Sequence, residues 1–311
     1  MRIETGHKQP AVHSPQYQEI ENVRRKWEPP FSTQFTRPTF LMCAPGWYEV
    51  RYAINPWMAG NISGSNRDTA FYQWNGLYQA LKSIGDVRLI HAKEGSPDMT
   101  FVAHGAVVNY GVAALSCFAH LERTAEEDYL QTWLEEAGFI VWKSEGLPLE
   151  GEGDALFSPD GEHLWAGHGS RSSRKSHDRL SNVWHVDVTS LHLVDPRFYH
   201  LDLCFNPLSN GHVLYYPGAF DRRSLEKIED AYAPEQRIGV TEQEAAQFAC
   251  NVINVANDIL MHASSGGVAN RLRNAGYRVA EFPLGEFVKG GGAAKSLALR
   301  LSDLSITHRR P

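Results

Sequence analysis

The chain has 311 residues, 42% of them hydrophobic and 21% charged, with 8 Trp, 12 Tyr and 14 Phe; this excludes a disordered or fibrous protein and suits one large α/β domain or two smaller ones. Thirty Lys and Arg against 36 Asp and Glu give a net charge of −6, which excludes the footprint of a nucleic-acid or anionic-membrane binder and leaves a small-molecule partner as the expectation. No run reaches the ~18 apolar residues of a membrane helix, the opening MRIETGHKQPAVHS lacks a signal-peptide core, and Cys43, Cys117, Cys204 and Cys250 form no CxxC, so a cytoplasmic protein with reduced thiols and no zinc or disulfide framework is expected.

Residues 1–37 are polar and without hydrophobic period, and read as an arm. From Phe40 onward the pattern becomes regular. Asp68 to Gly85 repeats apolar residues at Trp74, Leu77, Tyr78 and Leu81, the spacing of a helix face. Thr124 to Gly138 predicts a second helix, with a capping box of Thr124 and Glu127, a stripe of Leu130, Trp133, Leu134 and Ala137, and a glycine stop. Ser265 to Gly276 predicts a third. A short β-rich run follows each glycine: GDVRLIHA, GFIVWKS and GYRVAEF. A polar loop then leads to another apolar run that opens on a chemically notable residue, in FVAH104, EGEGD154ALF and GGAAKS296LALRL. FYH200LDLCF and FACN251VINV show the same figure. Five units of roughly 50 residues predict a closed ring of ββαβ modules, an α/β propeller whose loops converge on its axis.

Glu150, Glu152 and Asp154 crowd into five residues, and His200 and Asp202, two apart, would share one face of a strand. Carboxylates converging in a partly dry pocket need a cation. A planar guanidinium suits them, because two carboxylates can hold it by paired hydrogen bonds, and a divalent metal is the rival. An acidic turn and a histidine bonded to a backbone carbonyl are the plainer readings, but neither explains all the loops together.

The segments MCAPGWYEVRYAINPWM (42–58), EGEGDALF (150–157), LWAGHGSRS (164–172), VDPRFYHLD (194–202), YYPGAF (215–220), FACNVINV (248–255) and GGAAKSLALRL (291–301) resemble the guanidine-modifying amidinotransferase superfamily, in particular arginine dihydrolases of the cyanobacterial type and dimethylargininase-like hydrolases. The resemblance runs from about residue 40 to 305 and implies a pentein, a five-bladed α/β propeller, over residues 38–308, without the fused cyclodeaminase domain of some relatives. It implies an arginine-like small-molecule substrate, no cofactor and no metal, and leaves homo-oligomer formation open. In such enzymes a thiolate attacks the guanidinium carbon, a histidine protonates the departing amine and then activates water, and carboxylates hold the guanidinium. By motif, Asp154 and Asp202 would hold the guanidinium, His200 would be the general acid/base and Glu150 a pocket carboxylate. Asn55, Arg123 and Arg171 would hold the amino acid's backbone end, with Arg123 and Arg171 making the mouth basic.

The sequence departs from the family at the reaction centre. The family's GGAAKCLTL reads GGAAKSLAL here, so Ser296 takes the nucleophile's place and Ala298 replaces a threonine. In FVAHG, where relatives carry asparagine or aspartate, stands His104. A serine hydroxyl stays protonated unless a strong base adjoins it, so the exchange should cost most of the rate. Three explanations follow: an engineered Cys-to-Ser trap; a divergent enzyme in which His104 or His200 serves Ser296 as base in a Ser-His-Asp arrangement completed by Asp202; or a catalytically silent, arginine-like ligand-binding homologue. A zinc or iron site of His104, His200, Asp154 and Asp202 is disfavoured by the absence of HxH or HxxxH spacing, and a dinucleotide site by the absence of GxGxxG. The loops bearing Asn55, His104, Asp154, His200 and Ser296 should meet at one pocket.

Overall fold

The computed structural model describes residues 37–263 and 267–302, so the polar arm, Arg37 apart, lies outside the described residues. Five three-stranded sheets share one pattern, in which a first strand pairs antiparallel with a middle strand and the middle strand pairs parallel with a third. A parallel step needs a crossover, and a helix supplies it in every sheet. Sheet two joins β3 (Ala106–Asn109), β4 (Val112–Leu115) and β5 (Ile140–Lys143) through α2 (Leu121–Glu136). Sheet three joins β6 (Ala155–Phe157), β7 (His163–His168) and β8 (Asp187–His192) through α3 (Arg174–Trp184). Sheet four joins β9 (Phe205–Pro207), β10 (Val213–Tyr215) and β11 (Arg237–Gly239) through α4 (Arg222–Ala231). Sheet five joins β12 (Ile253–Val255), β13 (Asp258–His262) and β14 (Arg278–Phe282) through α5 (Gly267–Asn274). Sheet one is assembled from both ends of the sequence: β1 (Thr39–Cys43) runs parallel to β2 (Asp86–Ile90) across α1 (Arg67–Ile84) and antiparallel to β15 (Ala298–Ser302). That pairing closes the ring as the five-bladed propeller expected of the resemblance.

Local chemistry sets these elements. Asn66 caps α1 by accepting from the Thr69 amide at 2.8 Å, and Trp74, Leu77 and Leu81 turn inward into the core cluster that also holds Phe40 and Met42 of β1. Each such buried leucine contributes about 1.5–3 kcal/mol. The expected start of α2 is corrected: the helix begins at Leu121 rather than Thr124, and no capping box forms. Thr124 Oγ1 donates to the Leu121 carbonyl (2.9 Å), while Glu127 reaches back to accept from the Phe118 amide (2.8 Å). Leu130 and Leu134 are buried as the stripe requires, and Gly138 follows the helix at φ +90°. α5 begins at Gly267, because residues 264–266 of the expected helix are outside the described residues.

Candidate active site

In every blade the chain enters its first strand through a short turn, and each turn carries a polar residue almost wholly cut off from solvent. These are His104 before β3, Asp154 before β6, Asp202 before β9, Asn251 before β12 and Ser296 before β15, all at most 2% exposed. The turns pack on one another: Gly151–Asp154 touches Val102–Gly105 and Leu201–Leu203, and Val102–Gly105 also touches Lys295–Leu297. His200, the residue preceding the Leu201–Leu203 turn, is likewise fully buried.

Ser296 Oγ donates to Asp202 Oδ2 at 2.9 Å and accepts from Asn251 Nδ2 at 3.0 Å. The Asn251 carbonyl oxygen accepts the amides of Ala293 (3.1 Å), Lys295 (3.0 Å) and Ser296 (3.3 Å), so one side chain fixes the whole turn that presents the hydroxyl. His104 Nε2 lies 3.5 Å from the same Asp202 oxygen. Its Nδ1 faces Arg123 Nη1 at 3.1 Å, and because a guanidinium never gives up its proton, Nδ1 must accept and the imidazole proton must sit on Nε2. Burial, aided by the neighbouring His200 and Arg123, holds His104 down at about 3, which makes it neutral.

His200 is wired oppositely. Its Nε2 lies 3.2 Å from Glu150 Oε2 and its Nδ1 3.3 Å from Asp154 Oδ2. Burial works against its charge, but Asp154 and Glu150 outweigh burial and hold it up at about 9. Glu150 is kept well below the usual carboxylate range, against burial, by His200 and by Arg171, whose Nη1 is 2.9 Å away. Asp154 is held by Ser172 Oγ at 2.6 Å and by the Leu201 amide at 3.1 Å.

Three expectations are corrected here. His200 and Asp202 do not share a strand face; they lie at a 3-10 turn, and their side chains serve different partners. A Ser-His-Asp relay is absent among the described residues, since the serine bonds Asp202 Oδ2 directly and His104 Nε2 faces that same oxygen at 3.5 Å rather than standing between serine and aspartate. Arg123 is not at a mouth. It is 3% exposed and spends its donors on Glu126 (3.0 and 2.7 Å), on His104 and on the carbonyls of Asp98 and Phe101.

Arg171, 6% exposed, reaches the Ile54 carbonyl at 2.6 Å and stacks over the Tyr199 ring at 4.6 Å. Asn55 donates to the Gly290 carbonyl (3.0 Å) and to Tyr199 Oη (3.3 Å), tying its loop to the segment before Ser296. Sequence reasoning gave no role to Asn251, although its place in the repeat was the available signal. It also missed the buried Asp98, whose Oδ2 accepts from Tyr52 at 2.8 Å and which burial pushes up, and for which SPDMT offers no signal. Lys295 pairs with Glu152 at 2.6 Å behind the turns of Ser296 and Asp154.

Chemically, the arrangement can hold a small polar group between carboxylates and deliver a proton from His200. It cannot readily strip a proton from Ser296: His104 Nδ1 is taken by Arg123 and its Nε2 already carries the ring proton, His200 is a cation, and Asp202, held low against burial by His104 and His200, is a weak base.

Known proteins share this chain's sequence and fold. A family model for N,N dimethylarginine dimethylhydrolase, eukaryotic, matches residues 58–300. The chain is 48% identical over 269 residues to the bifunctional arginine dihydrolase/ornithine cyclodeaminase AgrE of Nostoc sp., a match covering 86% of this chain but only 38% of AgrE. It is 33% identical over 263 residues to the N(G),N(G)-dimethylarginine dimethylaminohydrolase of Mycobacterium tuberculosis, covering 84% of this chain and 85% of that protein. The crystal structure of the N-terminal domain of the cyanobacterial arginine dihydrolase ArgZ, as a cysteine-to-serine mutant bound to substrate, matches with a TM-score of 0.84 at 48% identity, covering 86% of this chain and 98% of that domain. A match that spans four of the five blades and α1 and β2 of the first, together with the M. tuberculosis relative aligned over 85% of its length, places the chain in the N,N-dimethylarginine dimethylhydrolase family.

Proposed function

We propose that this chain acts at the guanidinium C–N bond of arginine or a close analogue, and does so slowly because Ser296 stands where relatives carry cysteine. The observation that carries the reading is the convergence of Glu150, Asp154 and Asp202 with His200 and Ser296, all at most 1% exposed. In this reading Asp154 and Asp202 hold the planar end of the ligand, His200 gives its proton to the departing amine, and Arg171 faces the ligand's carboxylate. Arg123 acts indirectly, by fixing His104.

Product analysis tests it: arginine, methylarginines and agmatine are incubated with the protein and with Ser296→Cys, and ammonia, citrulline and ornithine are followed. Loss of the nucleophile of a covalent mechanism can cost a factor on the order of 10⁶ in turnover, so the serine protein should be far slower than Ser296→Cys. The variant should recover only part of a cysteine enzyme's rate while His104 remains. Full recovery would mark Ser296 as an engineered trap set in an intact site. Rapid turnover by the unmodified protein, abolished in Ser296→Ala, would overturn the expectation of slow hydrolysis. The absence of a base for Ser296 favours a second reading, a silent ligand-binding homologue, which gains if both forms bind arginine and neither turns it over. In either reading Asp202→Asn should weaken binding by about 2–5 kcal/mol in calorimetry, since it leaves buried groups poorly paired.

A further inference from the structure

Four buried polar atoms of the site, His104 Nε2, Asp202 Oδ1 and both ring nitrogens of His200, have no hydrogen-bond partner among the described residues; the His200 nitrogens face the carboxylates of Glu150 and Asp154 at 3.2 and 3.3 Å, which leaves His104 Nε2 and Asp202 Oδ1, on side chains 2% and 0% exposed. Buried polar atoms are rarely left unpaired, so the pair marks where a ligand's polar edge belongs. Their roles are fixed. His104 Nε2 is a donor, because Arg123 occupies Nδ1 at 3.1 Å and forces the proton to the other nitrogen. Its 3.5 Å separation from Asp202 Oδ2 is longer than an ordinary N–H···O bond, and that oxygen already accepts from Ser296 at 2.9 Å. Asp202 Oδ1 is a carboxylate oxygen and can only accept.

The depth of the site thus offers one donor beside one acceptor. A guanidinium presents N–H groups on every edge, so it satisfies Asp202 Oδ1 but sets N–H against N–H at His104. It would also bring a cation toward the His200 imidazolium, whose ring centre lies 4.3 Å from that of His104. A ureido group is uncharged and carries a carbonyl oxygen next to an NH₂, the complement of this donor and acceptor. We propose that the preferred ligand of this pocket is a ureido amino acid, its carbonyl oxygen on His104 Nε2–H and its terminal NH₂ on Asp202 Oδ1, with His104 as the residue that selects ureido over guanidino. The proposal rests on the reading of this pocket as the ligand site, and it departs from that reading only in which close analogue of arginine is bound best.

Calorimetry with L-citrulline and L-arginine tests it. The unmodified protein should bind citrulline at least about tenfold more tightly than arginine, a difference of about 1.4 kcal/mol. His104→Asn, whose amide can turn either an oxygen or an NH₂ toward the ligand, should narrow or reverse the ratio, with circular dichroism confirming the fold. The comparison in the unmodified protein stands without any variant. Arginine bound as tightly as citrulline or more tightly overturns the proposal and leaves the pocket reading in place, whereas no binding of either ligand removes both. A citrulline preference that persists unchanged in His104→Asn overturns the assignment of selectivity to His104.

Discussion

His200 and His104, with ring centres 4.3 Å apart, titrate in opposite directions. Two carboxylates flank the first, while an arginine occupies one nitrogen of the second. The linkage to stability has opposite signs. His200 rises from about 6.5 to about 9 on folding, so its contribution is full below the unfolded value and is lost as pH climbs through about 9; the amount is on the order of 3 kcal/mol. His104, depressed to about 3, costs stability as pH falls below about 6.5, because the unfolded chain takes up that proton first. Urea unfolding followed from pH 6.5 to 9 should therefore show a falling stability that His200→Gln flattens. An equally steep fall in the variant would mean that the slope comes from other groups. Motif and resemblance pick out both histidines, but their protonation is illegible in sequence, since Arg123, Glu150 and Asp154 reach them only through the fold.

Between elements, the tightest constraint in the site is Gly151. It has φ +50°, and a Cβ there would meet the Ala106 amide nitrogen and carbonyl oxygen at 2.6 Å and the Ala103 carbonyl at 2.7 Å. Those backbone atoms flank His104, so the turns that position His104 and Asp154 are packed main chain on main chain. Gly151→Ala should cost about 2 kcal/mol or more, from strain and collision together. Gly146→Ala makes a control: its φ is +80°, but nothing lies within 4 Å of the added carbon, so only the backbone strain is felt. A denaturation midpoint for Gly151→Ala no lower than that of Gly146→Ala would show that the two turns can slide apart. Periodicity reveals α1 and α2 but places the start of α2 three residues late, because it cannot show that Glu127 is drawn away to the Phe118 amide.

Across the whole molecule, Lys295 and Glu152 join sheets one and three, which are not neighbours in the ring, through a buried ion pair of 2.6 Å. Lys295→Met would leave the Glu152 carboxylate buried without its cation, at a cost of about 3–5 kcal/mol. The double variant Lys295→Met with Glu152→Leu should recover much of that loss, because an apolar pair of similar volume replaces the ions. Thermal unfolding of the single and double variants checks this, and additive losses would refute the pairing. The ring itself was legible, because five polar turns recur at one address in the sequence. The cross-axis tie was not, since Glu152 and Lys295 are 143 positions apart and neither carries a periodic signal.

The antiparallel seam between β1 and β15 also orders events in time. Ser296 sits on the turn that opens β15, and β15 takes β1 as its strand partner, so the hydroxyl, Asp202 and Asn251 come together when the latest-synthesised blade strand returns to the earliest. A nascent chain halted after β14 could fold four sheets and still have no reaction centre. Ribosome-stalled intermediates of this protein should therefore be inert toward any ligand of the pocket until residues 296–302 have left the exit tunnel.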